Sequence, residues 1–458
     1  MHRCFSTTDL PASPYKDRSK RANESRNDRF LKPIEVLEHL SDSLTDYERF
    51  EIKSHAKIYF IGQHATKKHA DPENAFANAG YDDEENMYMI VPHDHIGYRY
   101  EVLKVLGKGA FGQVIKAYDH KTSDYVAVKI VRNGKQFYRQ SLEEIRILEL
   151  LREYDSSPKS CFLQILDHFD FRNHKCLVME LLTYDLFEFL KRNKFRGHSL
   201  HLVKIFATSI LKCLCLMYEL KLIHADLKPR NILFRERGRQ DLKVIDFGSA
   251  CFEGETVYSY IQSRMYRAPE VILGASYGRP IDMWSFGCIL VELFLGYPAF
   301  PGEDETDQMA LFTELLGLPP KALLSQGDCA DGYFTEEGFP RFCSVHRKPN
   351  GELIFGGSRS KRGRPRGPPG SKTWSVFLRK EEDPDFVNLI RRCLTWDPKT
   401  RITPMAALYH PFLRHAHRNL SVPRVASHSR WKTVAARAQA KERGQKSEKL
   451  AEENEIST

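Results

Sequence analysis

From Tyr98 the chain alternates in Y-R-Y-E-V-L-K-V-L, and similar runs recur past Lys129. Period-two alternation predicts half-buried strands. From about Ser199 the apolar residues recur at helical spacing instead. Strands first and helices later predict an α+β arrangement of two lobes, β-rich over 99–180 and helical over 181–413. Ahead of them, residues 33–98 read as a small accessory segment, with helical spacing in I-E-V-L-E-H-L from Ile34 and a short strand at 57–62 (K-I-Y-F-I-G) before a polar loop. Residues 1–32 are rich in Ser, Asn and Arg without apolar periodicity and are expected to be disordered. Residues 414–458 form a basic, charged tail, with a solvated helix expected over 434–454. No internal repeat is found.

At 458 residues the chain can bury a sizeable core, as one large two-lobed domain or two ordinary ones. No stretch approaches the roughly 18 uninterrupted apolar residues of a membrane span, and the polar start has no apolar signal-peptide core. Neither membrane insertion nor secretion is expected. The ten cysteines are scattered without C-x-x-C spacing, which favours reduced thiols over a disulfide framework or zinc site; Cys213 and Cys215 read as ordinary helix residues. Lys plus Arg exceed Asp plus Glu by 69 − 60, or +9. The excess concentrates in 359–366 (R-S-K-R-G-R-P-R) and after Arg414, read first as solvated loop surface and second as nuclear targeting or anionic docking. No motif pairs these basic runs with aromatics as nucleic-acid recognition requires, so a nucleic-acid partner is not expected.

Gly107-Lys108-Gly109-Ala110-Phe111-Gly112-Gln113-Val114 matches G-x-G-x-x-G-x-V, which by itself is weak because dinucleotide folds use similar glycines. Context discriminates. A dinucleotide turn enters a helix, whereas 114–118 reads as a strand, followed by a turn and a second strand. Glycines in such a lid let backbone N–H groups approach triphosphate oxygens. Val126-Ala127-Val128-Lys129 places a strand lysine to reach the α- and β-phosphates, and Glu144 is its expected partner, because Glu143 points about 100° away around the helix. His224-Ala225-Asp226-Leu227-Lys228-Pro229-Arg230-Asn231 has the spacing H-x-D-x-x-x-x-N and is followed by Asp246-Phe247-Gly248. In that pattern Asp226 orients the substrate hydroxyl and accepts its proton, Lys228 offsets phosphoryl charge, and Asn231 and Asp246 bind magnesium. Ala268-Pro269-Glu270 closes an activation segment, Glu270 is expected to pair with Arg401, and Asp282-Met283-Trp284 opens an apolar helix. Met179 is expected to pack behind the nucleotide pocket, ahead of a hinge at Glu180, Leu181 and Leu182.

With these motifs, Asp94-His95-Ile96-Gly97-Tyr98-Arg99-Tyr100-Glu101-Val102 and Tyr258-Ser259-Tyr260-Ile261-Gln262-Ser263-Arg264, the chain resembles the dual-specificity tyrosine-phosphorylation-regulated kinases over about 33–413. The accessory segment near 37–62 is similar to that of their class II members. The resemblance implies a two-lobed protein kinase fold with an ATP cleft between the lobes. The enzyme it implies phosphorylates its own Tyr260 once, then transfers the ATP γ-phosphate to serine and threonine of protein substrates. The nucleotide site it implies comprises Leu106, Gly107, Lys108, Gly109, Ala110, Phe111, Gly112, Val114, Ala127, Lys129, Met179, Glu180, Leu181, Leu182 and Leu233, with magnesium on Asn231 and Asp246. Arg264 and Arg267 are near enough in sequence to clamp a phosphorylated Tyr260. A monomer in cytoplasm or nucleus is expected. At four positions the chain departs from the family: Ala225 stands for cysteine, Met179 and Met265 for phenylalanines, and Arg230 for a glutamate, which reverses the local charge. A catalytically dead scaffold is the competing class, but Lys129, Glu144, Asp226, Asn231 and Asp246 are all present. A mitogen-activated or cyclin-dependent relative would carry T-x-Y where Y-x-Y stands here.

Overall fold

In the computed structural model, six antiparallel strands build the first lobe: β1 (His95–Ile96), β2 (Tyr100–Gly109), β3 (Gly112–Asp119), β4 (Asp124–Val131), β5 (Ile165–Phe171) and β6 (His174–Glu180), in the spatial order β1-β2-β3-β4-β6-β5. The structure describes residues 30–417 except 72–74, 156, 158–159, 237, 239, 256–259 and 380–382. Expectations for 1–29, for the tail from 418 and for Tyr258 lie outside the described residues. The register follows from alternation. Ile115, Ala117 and Asp119 of β3 are buried while the residues between them are half-exposed, and Val114 faces Lys129 across the β3–β4 pair.

The accessory segment contributes α1 (Pro33–His39), opened by a proline at its first turn, and α2 (Asp46–Glu51), opened by a Thr45/Glu48 capping box. Two expectations need correction here. Leu31, within the stretch expected to be disordered, exchanges backbone hydrogen bonds of 2.8 and 2.9 Å with Ile58. The stretch 57–62 is no strand, because beyond that single bridge its neighbour is irregular: the N–H groups of Tyr59 and Phe60 both donate to the Tyr98 carbonyl.

What fastens this segment to the sheet is Arg172, in the β5–β6 turn. Its guanidinium donates to Glu51 at 2.8 and 3.0 Å, to Glu48 at 3.2 Å and to the Tyr88 hydroxyl at 2.9 Å, and it lies 4.1 Å from the centre of the Tyr81 ring. Glu48 also takes Lys67 and His95. Burial pushes the Glu48 carboxyl up, but the contact with His95 and the Lys67 ammonium hold it well below the usual range.

Within the first lobe α3 (Lys135–Tyr154) stands against the sheet; the second lobe follows with α4 (Leu186–Arg192), α5 (Leu200–Glu219), β7 (Leu222–Ile223), β8 (Ile232–Phe234), β9 (Leu242–Val244), β10 (Cys251–Phe252), α6 (Pro269–Ile272), α7 (Pro280–Leu295) and α8 (Glu305–Leu316). Although no membrane span is legible as an uninterrupted apolar run, α5 is long and apolar enough to cross a bilayer. Its apolar surface is explained by burial at the lobe's centre. Helix α7 is buried almost all round, with Trp284 against Phe300 and Phe312. Glu270 and Arg401 form a fully buried bidentate pair at 2.6 and 2.9 Å. The nine described cysteines are free.

The basic run 359–366 is largely exposed, as expected, but it is a hairpin and not an irregular loop. It forms a hairpin of β13 (Ser358–Arg359) and β14 (Pro365–Arg366), after a hairpin of β11 (Val345–Arg347) and β12 (Leu353–Phe355). The acidic run 303–307 at the start of α8 draws it in: Arg366 grips Asp307 at 2.7 and 2.8 Å, and Lys361 meets Asp304 at 3.0 Å.

Two stability outcomes follow. Arg172→Ala leaves Glu51 without its cation in the interior and takes one of three partners from Glu48, and is expected to cost about 3–5 kcal/mol in denaturant titration, against under about 1 kcal/mol for breaking the exposed Lys348–Glu352 pair. Glu292 of α7 is buried, accepts the Tyr266 hydroxyl at 2.6 Å, and has its carboxyl pushed by burial up to about 7 from 4.5. A raised folded-state value means the native state binds the extra proton between those pH values, so this contribution is complete below pH 4.5 and lost as pH rises through 7. Glu292→Gln is therefore expected to match the wild type at pH 5 and to exceed it by about 2 kcal/mol at pH 8 in melts across that range.

Candidate active site

Strands β2 and β3 carry the glycine loop, and its glycines serve different ends. A Cβ on Gly107 or Gly109 would meet no atom within 4 Å, so the backbone there is open to a ligand's approach. Gly112 is different: its φ is +141° and a Cβ would come 2.3 Å from the Ile130 carbonyl oxygen. It lets β3 pack on β4, a constraint the motif alone does not distinguish from phosphate approach. Lys108 turns its ammonium to Asp83 and Glu85 of the accessory segment, leaving only its backbone for a nucleotide. Phe111, near the loop's tip beside Ala110, packs edge-on against Phe137 of α3 with ring centres 6.4 Å apart.

Beneath the loop, Lys129 of β4 donates to both Glu144 oxygens of α3 at 2.7 and 2.8 Å. Glu143 stays on the outer face and meets Arg146. Lys129 also lies 3.5 Å from Asp246. Burial disfavours the Lys129 ammonium, yet the Glu144 and Asp246 carboxylates outweigh it and raise its pKa. Burial likewise pushes the Asp246 carboxyl up, and Lys129, His224 and Lys228 together hold it below the ordinary range. Asp246 is thus held as the anion by the cations around it.

Behind these groups, Met179 is buried in the core, paired with Ala127 across β4 and β6. Glu180 ends β6, and its N–H is already used by the Gln164 carbonyl, while its carboxylate takes Gln164 N–H and the buried Lys243 ammonium. Hinge donors for a base are left to Leu181 and Leu182, whose N–H groups donate to no acceptor among the described residues. Leu106 and Val114 from above and Leu233 of β8 from below are partly exposed, the apolar walls such a base needs.

The catalytic loop is held by its backbone. Ala225 sits at φ +63° and Asp246 at +62°, left-handed positions that cost non-glycine residues roughly 1–2 kcal/mol each. The buried Asp282 carboxylate offsets this by accepting the N–H groups of His224 and Ala225 at 2.8 and 3.1 Å, and the Ala225 carbonyl accepts the Gln262 N–H at 2.9 Å. His224 donates from Nε2 to the Ile245 carbonyl and accepts the Asp226 N–H at Nδ1, which tethers the loop to the segment carrying Asp246. Asp226 then receives Lys228 at 2.6 Å and Asn231 Nδ2 at 3.3 Å on one oxygen, and the Ser263 N–H and hydroxyl at 3.1 and 2.9 Å on the other.

Asn231 and Asp246 flank the β8–β9 pair, in which Ile232 faces Val244, and the Ile245 N–H donates to the Asn231 carbonyl. Their oxygen donors suit a hard divalent cation. Together with the open glycine loop and Lys129 these residues fit a nucleotide triphosphate and its metal.

Tyr260 is largely exposed, at 72%. The Arg267 guanidinium lies 4.1 Å from its ring centre while donating to the Ile261 and Gln262 carbonyls and to Glu305. Arg264 turns elsewhere, onto the Gly302 and Glu303 carbonyls. The structure therefore brings Arg267, and not Arg264, to the tyrosine. Met265 is 39% exposed, a surface position rather than a packed one. Sequence reasoning missed Ser263, Asp282 as a loop anchor, and Gln262, whose side chain binds Ser285 and the Ala268 N–H. Gln262 and Ser263 lie inside the Y-x-Y-I-Q-S-R segment, which was the available signal.

Comparison with known proteins places this geometry. The protein kinase domain model matches residues 100–413. The chain is 53% identical over 384 residues to dual specificity tyrosine-phosphorylation-regulated kinase mbk-2 of Caenorhabditis elegans, covering 84% of this chain and 47% of that one. It is 51% identical over 397 residues to dual specificity tyrosine-phosphorylation-regulated kinase 3 of Macaca fascicularis (86% and 68%) and 45% identical over 386 to dual specificity tyrosine-phosphorylation-regulated kinase 2 of Drosophila melanogaster (84% and 51%). It spans about half to two thirds of the length of these relatives. A glycine loop open to phosphate, a closed Lys129–Glu144 pair and a tethered catalytic loop thus sit in a chain that belongs to the protein kinases and, within them, to the dual-specificity tyrosine-phosphorylation-regulated kinases.

Proposed function

We propose that the chain transfers the γ-phosphate of ATP to serine and threonine of protein substrates, and to its own Tyr260. The observation that carries this reading is the convergence of Lys129, Glu144, Asp226, Asn231 and Asp246 on one cleft with the Lys129–Glu144 pair closed. A kinase domain implies ATP, a divalent metal and protein substrates; magnesium is the metal proposed. Lys129, held by Glu144, anchors the α- and β-phosphates. Asn231 and Asp246 hold the metal, which supplies positive charge against the phosphate oxygens. Asp226, oriented by Ser263 and Asn231, aligns the substrate hydroxyl and takes its proton as the hydroxyl oxygen attacks. Lys228, 2.6 Å from Asp226 and 3.1 Å from the Ser263 hydroxyl, balances charge at the transferring group.

For Tyr260, a phosphate adds about −1.5 to −2 charge. Arg267 already lies against the ring, and Arg264 reaches the phosphate by leaving two backbone carbonyls. The accessory segment, fastened through Arg172, assists that self-modification. No observation favours the scaffold reading, since none of the five residues is missing.

Three outcomes test this. Asp246→Asn removes a metal ligand at nearly constant shape and is expected to abolish transfer, more than about 10³-fold, with a melting temperature within a few degrees of wild type. Full activity sinks the metal role. Intact mass and peptide mapping of bacterially expressed protein should find one phosphate on Tyr260 in the wild type and none in Asp246→Asn. Tyr260→Phe is expected to turn over substrate at least about tenfold more slowly, and unchanged turnover refutes the maturation step.

A further inference from the structure

Arg230 stands out in the catalytic loop because its neighbours Pro229 and Asn231 are buried while its own side chain is exposed. It forms no hydrogen bond or ion pair with any described residue. Its guanidinium sits over the Phe187 ring of α4, 3.9 Å from the ring centre. Asp185 at the start of α4 and Tyr266 in the activation segment both feel its charge. The Asp185 carboxylate, which caps α4 by accepting the Glu188 N–H at 2.6 Å, is near enough to feel that charge but forms no ion pair with it. Arg230 therefore presents an exposed positive charge without an ion-pair partner among the described residues, next to α4 and the activation segment.

The same surface leads to the reacting groups. Asp226 is bounded on its inner side by Lys228 and Asn231 and on its outer side by Ser263 of the activation segment. A polypeptide bringing a hydroxyl to Asp226 must lie along that segment. Arg230 is on the turn that directly follows Lys228. Stacking on Phe187 covers one face of the guanidinium and leaves its in-plane N–H fork for a carboxylate, the geometry in which arginine binds acids best.

We propose that Arg230 selects substrates carrying a carboxylate side chain within about three residues of the target hydroxyl, a distance set by roughly 3.3 Å of advance per extended residue against the reach of an arginine. The inference rests on the kinase reading above. A half-shielded surface pair supports a preference of about fivefold in kcat/KM over a neutral neighbour, and basic neighbours are repelled.

The test is steady-state kinetics on three serine peptides of equal length, flanked by glutamate, glutamine or arginine, with wild type and Arg230→Glu at two salt concentrations. In the wild type the ranking is expected to be acidic over neutral over basic, with the spread narrowing at high salt; in Arg230→Glu the acidic and basic peptides are expected to exchange rank. A wild type that prefers the basic peptide, or a variant that keeps the wild-type ranking, overturns the role of Arg230 while leaving the kinase reading intact. Transfer to none of the peptides by the wild type overturns both.

Discussion

The active half of this molecule depends on one buried carboxylate. Asp282, at the start of α7, accepts two successive backbone N–H groups of the catalytic loop, and so stabilises Ala225 in a left-handed conformation that an alanine does not otherwise favour. Burial raises its pKa, with the two N–H donors and the His224 side pulling the other way. Through that anchor the helix most completely enclosed by the lobe sets the position of Asp226. The loop is then closed from the other side by Gln262 and Ser263, so the activation segment and the catalytic loop share their hydrogen bonds. Order in one requires order in the other.

Opposite charges assemble the outer surface of the same lobe. The acidic run 303–307 lies between two basic elements: Glu305 holds Arg267 and the Glu303 carbonyl holds Arg264 on the side of Tyr260, while Asp304 and Asp307 hold Lys361 and Arg366 of the hairpin. Lys361, Arg364 and Arg366 of the basic run are consequently paired locally. Arg230 has no such ion pair among the described residues.

In the first lobe the linkage runs from the accessory segment to the cleft. Asp82 accepts His174 of β6 and Asn133 of the β4–α3 connection, and the Asn133 N–H donates to the Asn86 carbonyl. That connection leads directly into α3, whose Glu144 pairs with Lys129. Arg172 secures the other end of the segment. Loss of the accessory contacts would therefore be felt at the phosphate-anchoring pair through a short, packed path.

Local pattern determined a good deal of this protein. The β2–β4 strands, the glycine loop, and α3 with Glu144 inward and Glu143 outward were legible because each rests on a two- or 3.6-residue period or on a spacing that one chemistry requires. Only tertiary structure decided the rest. Nothing local marks Asp282 as the anchor of a loop it follows by some fifty residues, or sends Gly112 to the sheet rather than to phosphate, or pairs the run 359–366 with 303–307. It also separated Arg264 from Arg267, turning one to distant carbonyls and the other to the Tyr260 ring. The physical reason is common to all of these: a hydrogen-bond acceptor or counter-charge far along the chain competes for each group, and sequence spacing carries no record of which distant partner wins.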